Sequence, residues 1–267
     1  MFLAPLRQKI AIIERVWFLR YNKPMFSSFF HAAFYDPIYN GLVFLVAVVP
    51  GADVGIAVIL LTIVVRLILF PLSLKAIRTQ LVMKQLAPEL ERIKKEYADK
   101  REEQARQTMA LYKKEKVNPF SSFGFLIIQL VFIIALYLVF FNGGLPSIQT
   151  ELLYSFTPIP DTVNMHFLGF LDVAGKSLVL AFLAGITQFI QTRLSLPPMP
   201  PKKEGAASFK DDLARSFNLQ MRYILPIIIF FVAYSISAAI ALYFTVSNLV
   251  SIGQELYVRR TLKRPAA

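Results

Sequence analysis

Long apolar runs alternate with stretches dense in charge along this chain, and the runs set its organisation. Residues 55–74 read GIAVILLTIVVRLILFPLSL, and about 20 such residues suffice for a helix to cross a hydrocarbon layer about 30 Å thick. Similar runs occupy residues 123–141 and 177–196. The apolar stretch 222–257 holds close to twice the length one crossing needs, and SISAA at 235–239 interrupts it, so it predicts two helices joined by a tight turn. The shorter run IYNGLVFLVAVV, bounded by Asp36-Pro37 and Pro50-Gly51, falls short of a crossing and predicts a helix lying in the membrane interface.

Between the first two long runs the pattern changes to one with both signs of charge. Met83, Leu86, Leu90, Ile93 and Tyr97 are spaced three, four, three and four, a narrow coiled-coil seam. Ala105, Met109 and Tyr112 continue at helical spacing after the polar break at 98–101, which predicts an antiparallel helical hairpin. Either this hairpin is a solvated spacer or its charged surface docks a partner, with Lys84, Arg92, Lys94 and Lys95 as the basic docking candidates. The expected architecture is therefore an all-α integral membrane protein with five transmembrane helices. Its segments are an N-terminal extension (1–35), an interfacial helix (36–51), a first span (52–77), the cytoplasmic hairpin (78–117), a second span (120–141), an external loop (142–175), a third span (176–196), a cytoplasmic loop (197–220), a fourth span (221–236), a fifth span (237–258) and a basic cytoplasmic tail (259–267).

Charge orients these segments. The loop 142–175 has no Lys or Arg, whereas the hairpin, the loop 197–220 and the tail are basic, which places the latter three and the C-terminus in the cytoplasm. The formal net charge of +12 then predicts attraction to anionic lipid headgroups, and no DNA partner. A basic tail fits ribosomal RNA as well as lipid, and the sequence leaves both open. The first 24 residues are basic and oppose this topology: they lie outside against the rule, or translation starts at Met25, or 38–49 re-enters the membrane.

The absence of cysteine excludes disulfides and thiolate chemistry, and His31 and His166 have no partners at ligand spacing. No GxxxxGK[ST] loop occurs. The expectation is a protein without cofactor, metal or small-molecule substrate, and not an enzyme. What stands out instead is polarity inside the spans. Arg66 lies about 16 Å along the helix from Gly55 and about 13 Å from Lys75, too far to snorkel easily, so it should face protein or a wet cavity. Gln129 sits at a comparable depth in the second run, either facing the same cavity or bonding a neighbouring helix. Thr187, Gln188, Gln191 and Thr192 fall on one face of the third run, and Thr245, Ser247, Asn248, Ser251 and Gln254 form a mildly polar stripe on the last.

The segments YDPIYNGLVFL, PGADVGIAVILLTIVVRLILFPLSLKAIRTQLVMKQLAPELERIKKEY, MALYKKEKVNP, LIIQLVFIIALY and ALYFTVSNLVSIGQ, in this order, resemble the YidC/Oxa family of membrane protein insertases over about residues 35–260. The resemblance implies a five-helix core around a hydrophilic groove open to the cytoplasm and to lipid. It also implies a groove arginine on the first helix, matched by Arg66, and a glutamine on the second, matched by Gln129. Where the family often has Trp on the fifth helix this chain has Phe244, which leaves a hydrophobic groove wall; Thr187, Gln188 and Asn248 complete the expected lining. The implied activity is movement of polar segments of nascent membrane proteins across the bilayer, with lateral release of their apolar helices and without nucleotide hydrolysis. The implied partners are nascent membrane proteins, the ribosome and a Sec translocon, and the implied location is a bacterial-type plasma (inner) membrane. Alternative readings are an assembly chaperone acting only beside a Sec translocon, or a small anion channel or transporter subunit built on Arg66.

Overall fold

The computed structural model describes residues 28–118, 121–142, 145–196, 216 and 218–262. The expectations for the first 24 residues and for the loop 197–215 lie outside that set. The described chain is mostly helical, apart from the stretch 145–177. A π-helical turn, His31–Tyr35, leads into α1 (Asp36–Val48), and α2 (Val54–Ile68) follows. Then come α3 (Phe70–Glu96), α4 (Arg101–Lys114) and α5 (Ser121–Asn142). A two-stranded antiparallel hairpin, β1 (His166–Phe167) and β2 (Leu171–Asp172), precedes α6 (Leu178–Ser195). A second π-helical turn, Gln220–Ile224, enters α7 (Leu225–Ile236), and α8 (Ala238–Leu262) ends the described chain.

The run expected as the first span, 52–77, is divided by a break. α2 stops at Ile68, and α3 leaves it at an angle of 65°. Pro71 has no N–H to bond back to Leu67, so the ladder is remade around Leu69: its N–H donates to the Val65 carbonyl at 2.9 Å, and the Ser73 N–H donates to the Leu69 carbonyl at 2.9 Å. The Ser73 hydroxyl bonds back to the Phe70 carbonyl at 2.9 Å within the first turn of α3. Arg66 thus sits in the last turn of α2, where carbonyl ends favour a cation, and not midway along a straight helix.

The long apolar run after residue 222 divides at Ser237, whose extended backbone lets its hydroxyl accept the Ile240 N–H at 3.4 Å. α8 is the axis of the bundle, packing against α2, α6, α7 and the start of α3. α8 packs most extensively on α6, and both helices bury small side chains, Ala238, Ala239 and Ala241 on α8 and Ala181 and Ala184 on α6. Large apolar side chains point outward: Leu67, Ile68, Ile127, Leu130, Phe182, Ile190, Ile227 and Phe231 are all exposed. Polar groups such as Thr62, Arg66, Ser247 and Asn248 are buried, an arrangement suited to lipid and not to water. By length and apolarity α6 can cross a membrane alone, and the α2–α3 pair reaches the same measure only across its bend.

At the end where α2 begins, the loop after α5 is tied to the helices by buried side chains, among them Asp53, Asn40 and Tyr39, whose hydroxyl accepts the Gln149 N–H at 2.8 Å. Asp53 caps α2, accepting the Ile56 N–H at 3.0 Å, and takes the Leu168 N–H at 2.8 Å with its other oxygen. Asn40 of α1 donates to the Leu152 carbonyl at 2.9 Å and accepts from the Tyr154 N–H at 2.6 Å and the Thr157 hydroxyl at 2.9 Å. Gly55 has to be Gly: a Cβ there would lie 2.5–2.7 Å from the Phe167 side chain.

At the opposite end α3 and α4 form the expected antiparallel pair, turning through 97–100. The seam differs from expectation on α4. Leu86 and Leu111 are its buried members, whereas Ala105 and Met109 are exposed. Gln104 faces α3 instead, donating to the Lys94 carbonyl at 3.5 Å. The turn phases α4 so that its inner face starts one residue earlier than apolar spacing alone indicates, on an amide that can reach backbone.

Candidate functional site: a polar face on the last helix

Arg66 is brought to α8 by the packing of α2 against it. Its side chain is buried, 5% exposed, and Nε donates to the Ser247 hydroxyl at 2.9 Å; the guanidinium Nη2 donates to the same oxygen. Tyr243, one turn earlier on α8, is itself buried and lies on the same face as Ser247, beside Arg66. Two turns beyond Ser247, Gln254 donates to the Arg66 carbonyl at 3.4 Å, and its amide oxygen lies 3.1 Å from the Ser73 hydroxyl. Tyr243, Ser247 and Gln254 therefore present one continuous stripe to the end of α2 and to the bend that follows. Ser251, on the same stripe, bonds back to the Ser247 carbonyl at 2.9 Å.

The other residues singled out from the sequence distribute differently. Asn248 and Thr187 do meet, the Asn248 amide donating to the Thr187 hydroxyl at 3.3 Å across the α6–α8 contact. Gln188 is half-buried and bonds along its own helix, to Gln191 at 3.3 Å and Thr192 at 3.0 Å. Phe244 is 4% exposed and stands edge-on to the Tyr243 ring at 5.5 Å, a core position and not the open groove wall expected. The Gln129 side chain lies outside the described residues.

Lys84 also departs from its expected role. Its ammonium donates to the Leu194 carbonyl at the end of α6, so it is engaged in packing and not presented for docking. Arg92 and Lys95 are exposed on α3, and Lys94 is half-buried. Lys84 belongs to a polar cluster that the sequence reading missed. Glu255 of α8, buried, accepts the Ser195 hydroxyl at 2.6 Å and forms an ion pair with Arg259 at 2.7 Å. Arg259 also donates to the Leu194 carbonyl. Burial pushes the Lys84 ammonium down to about 8, with the Arg259 and Arg222 charges adding to that and the Glu255 carboxylate opposing it. The four-residue spacing of Glu255 and Arg259 was the available signal, since such pairs share a helix face. The spacing of Tyr243, Ser247 and Gln254 was the corresponding signal for the Arg66 contacts.

Apolar exterior, buried polar stripe and bent span together define a helical membrane protein whose interior polarity is concentrated between its first and last long helices. Residues 45–265 match the 60Kd inner membrane protein family, and the chain belongs to that family. It is similar to a protein of Clostridium tetani named membrane protein insertase YidC, with 30% identity over 82% of this chain and 87% of that protein. It is also similar to proteins of the same name from Methylobacillus flagellatus and Ectopseudomonas mendocina. The first is 32% identical over 80% of this chain and the second 30% identical over 79%. The chain spans about a third of the length of those two relatives, 34% and 32%.

Proposed function

We propose that this protein is a membrane protein insertase that moves polar segments of nascent membrane proteins across the bilayer and releases their apolar helices sideways into lipid. The observation that carries the reading is the burial of the Arg66 guanidinium against Ser247, at the bend between α2 and α3. A full charge inside a membrane protein costs about 2.5–3.5 kcal/mol on insertion scales, so its retention argues for a task. Held by a neutral hydroxyl, the guanidinium can exchange that contact for the carboxylate of a passing segment, a stronger charge-assisted partner. The polar stripe of α8 then forms one wall of a hydrophilic groove, with Thr187 and Asn248 on the adjoining face and Gln129 on α5. The task needs no covalent chemistry; the driving force is partitioning of the client's apolar helix into lipid.

In this reading five helices cross the membrane: α2 with the start of α3, α5, α6, α7 and α8. The groove, the α3–α4 hairpin and the C-terminus face the cytoplasm, in keeping with the basic charge of those segments and the lack of Lys and Arg in 142–175. The exposed Arg92 and Lys95 suit a ribosome, a Sec translocon or anionic headgroups as partners. The name shared by the relatives supports the same activity. The test is a reconstituted insertion assay comparing Arg66→Ala with wild type on clients whose translocated tails are acidic or neutral. A larger loss on acidic tails is expected; equal loss on both overturns the counter-charge role.

A further inference from the structure

The β1–β2 hairpin carries its apolar side chains in an unusual place. Phe170 N–H closes the turn onto the Phe167 carbonyl at 3.3 Å, and the two residues between, Leu168 and Gly169, have φ of 52° and 82°. Such a turn normally takes Asn-Gly, because the left-handed region disfavours a side chain like leucine. Here the first position is Leu168, 60% exposed, and Phe170 beside it is 75% exposed. Phe167 and Leu171 face the bundle and pack against its core, so the hairpin has one face anchored in protein and an apolar tip facing away from it.

The tip is held at a fixed level. Leu168 N–H is bonded to Asp53, the cap of α2, and the Val173 and Gly175 carbonyls accept the N–H groups of Ala239 and Ala238 at 2.9 and 2.7 Å, at the start of α8. The hairpin therefore lies where two long helices of the bundle begin. Lys176, the next residue, places its ammonium 5.7 Å from the centre of the Tyr234 ring near the end of α7, and cation and tyrosine side chains of this kind collect at membrane interfaces. Only two residues later α6 opens with Leu178 and Val179, 61% and 69% exposed, so exposed apolar surface resumes on a helix able to cross the membrane. Residues 142–175 contain no Lys or Arg, and Glu151, Asp161 and Asp172 make the segment acidic.

From these observations we propose that Leu168 and Phe170 form a wedge inserted into the phospholipid bilayer, at the boundary between headgroups and acyl chains of the leaflet where α2 begins. The recognised partner is the apolar part of the lipid, independent of headgroup charge. The contact fixes the depth of the loop, and through Asp53 and Gly55 the depth of the first turn of α2.

The lack of cysteine makes the test direct. Phe170→Cys, Leu168→Cys and, as a water-exposed reference on the same segment, Glu151→Cys are each labelled with a nitroxide and reconstituted in phosphatidylcholine–phosphatidylethanolamine vesicles. Collision rates with oxygen and with a water-soluble nickel chelate are then compared by electron paramagnetic resonance. The expected result is an oxygen-to-nickel ratio several-fold higher at 168 and 170 than at 151, unchanged when phosphatidylglycerol is added. A ratio at both positions equal to that at 151 overturns the proposal. So does shielding from both reagents with dipolar broadening that vanishes on dilution with unlabelled protein, which assigns the tip to a second copy of the chain.

Discussion

The Arg66 guanidinium and the Ser247 hydroxyl, 181 residues apart in sequence, meet at 2.9 Å inside the bundle. Their contact joins the last turn of α2 to the middle of α8, and Tyr243 completes it from the same helix face. Hydrogen bonds to a charged group contribute about 1.5–3 kcal/mol, so Ser247→Ala is expected to lower stability in detergent by about that amount. In an Arg66→Met background the same change should cost less, because the serine then has no cation to serve. Thermal unfolding of the four proteins of this double-mutant cycle measures the difference. Strict additivity would show that the two side chains act independently.

Much of this site was readable from residue pattern, and the parts that were not have identifiable causes. Arg66 announced itself as a charge in an apolar run. Ser247 and Gln254 were legible as part of a polar stripe on the last helix but were not paired with Arg66, because the resemblance drew attention to Phe244 and Asn248, each one position after a residue that lies beside Arg66. Helical spacing from Tyr243 to Ser247 and Gln254 would have selected the correct stripe. The break at Leu69 was foreshadowed by Pro71, but proline is tolerated within spans, and whether it kinks or merely loosens a helix depends on what takes up the freed backbone groups. Here Gln254 does so from α8, donating to the Arg66 carbonyl in the last turn of α2. Asn40 lay within an apolar run and its loop partners lie 112 to 117 residues away, beyond any local periodicity. On α4, the seam moved by one residue because the phase of a hairpin is set by its turn.

Glu255 ties the C-terminal parts of α6 and α8 together through Ser195 and Arg259. Glu255→Ala removes the acceptor for both and leaves Arg259, 32% exposed, beside the Leu194 carbonyl without its carboxylate. Breaking a buried ion pair from one side costs about 3 kcal/mol, reduced here by the partial exposure of the arginine. Glu255→Gln keeps an acceptor for Ser195 and should fall between wild type and the alanine variant. Chemical unfolding in mild detergent gives the order; equal stability of the three proteins would remove the cluster from any structural role.

Gly55 and Phe167 are packed so closely that the remedy for a substitution can be specified. Gly55→Ala sets a methyl group 2.6 Å from the Phe167 Cβ, and overpacking of this kind costs about 1–3 kcal/mol. Phe167→Ala keeps the offending Cβ, so it should not restore stability in the Gly55→Ala background. Phe167→Gly removes it and should relieve the clash, at the cost of the phenyl packing. Comparing melting temperatures of the two double variants distinguishes a backbone-proximal clash from a ring clash: recovery with Phe167→Ala alone would show that the ring had been the obstacle.

Lys84 makes the stability of the hairpin root depend on pH in a defined direction. Its folded-state value of about 8 lies below the ordinary lysine value of 10.5, with burial as the main cause. Between these values the unfolded chain binds the proton more readily than the folded one, so folding stability rises as pH increases from about 8 toward 10.5. Below about 8 the group is protonated in both states and its contribution is flat and unfavourable. Lys84→Met removes the titration and the hydrogen bond to Leu194 together, which shifts the baseline but leaves no slope from this site. The melting temperature of wild type minus that of Lys84→Met should therefore climb across that pH interval. A difference that stays level or falls would show that the ammonium is solvated at the hairpin root, and that Leu194 and Glu255 do not hold it there.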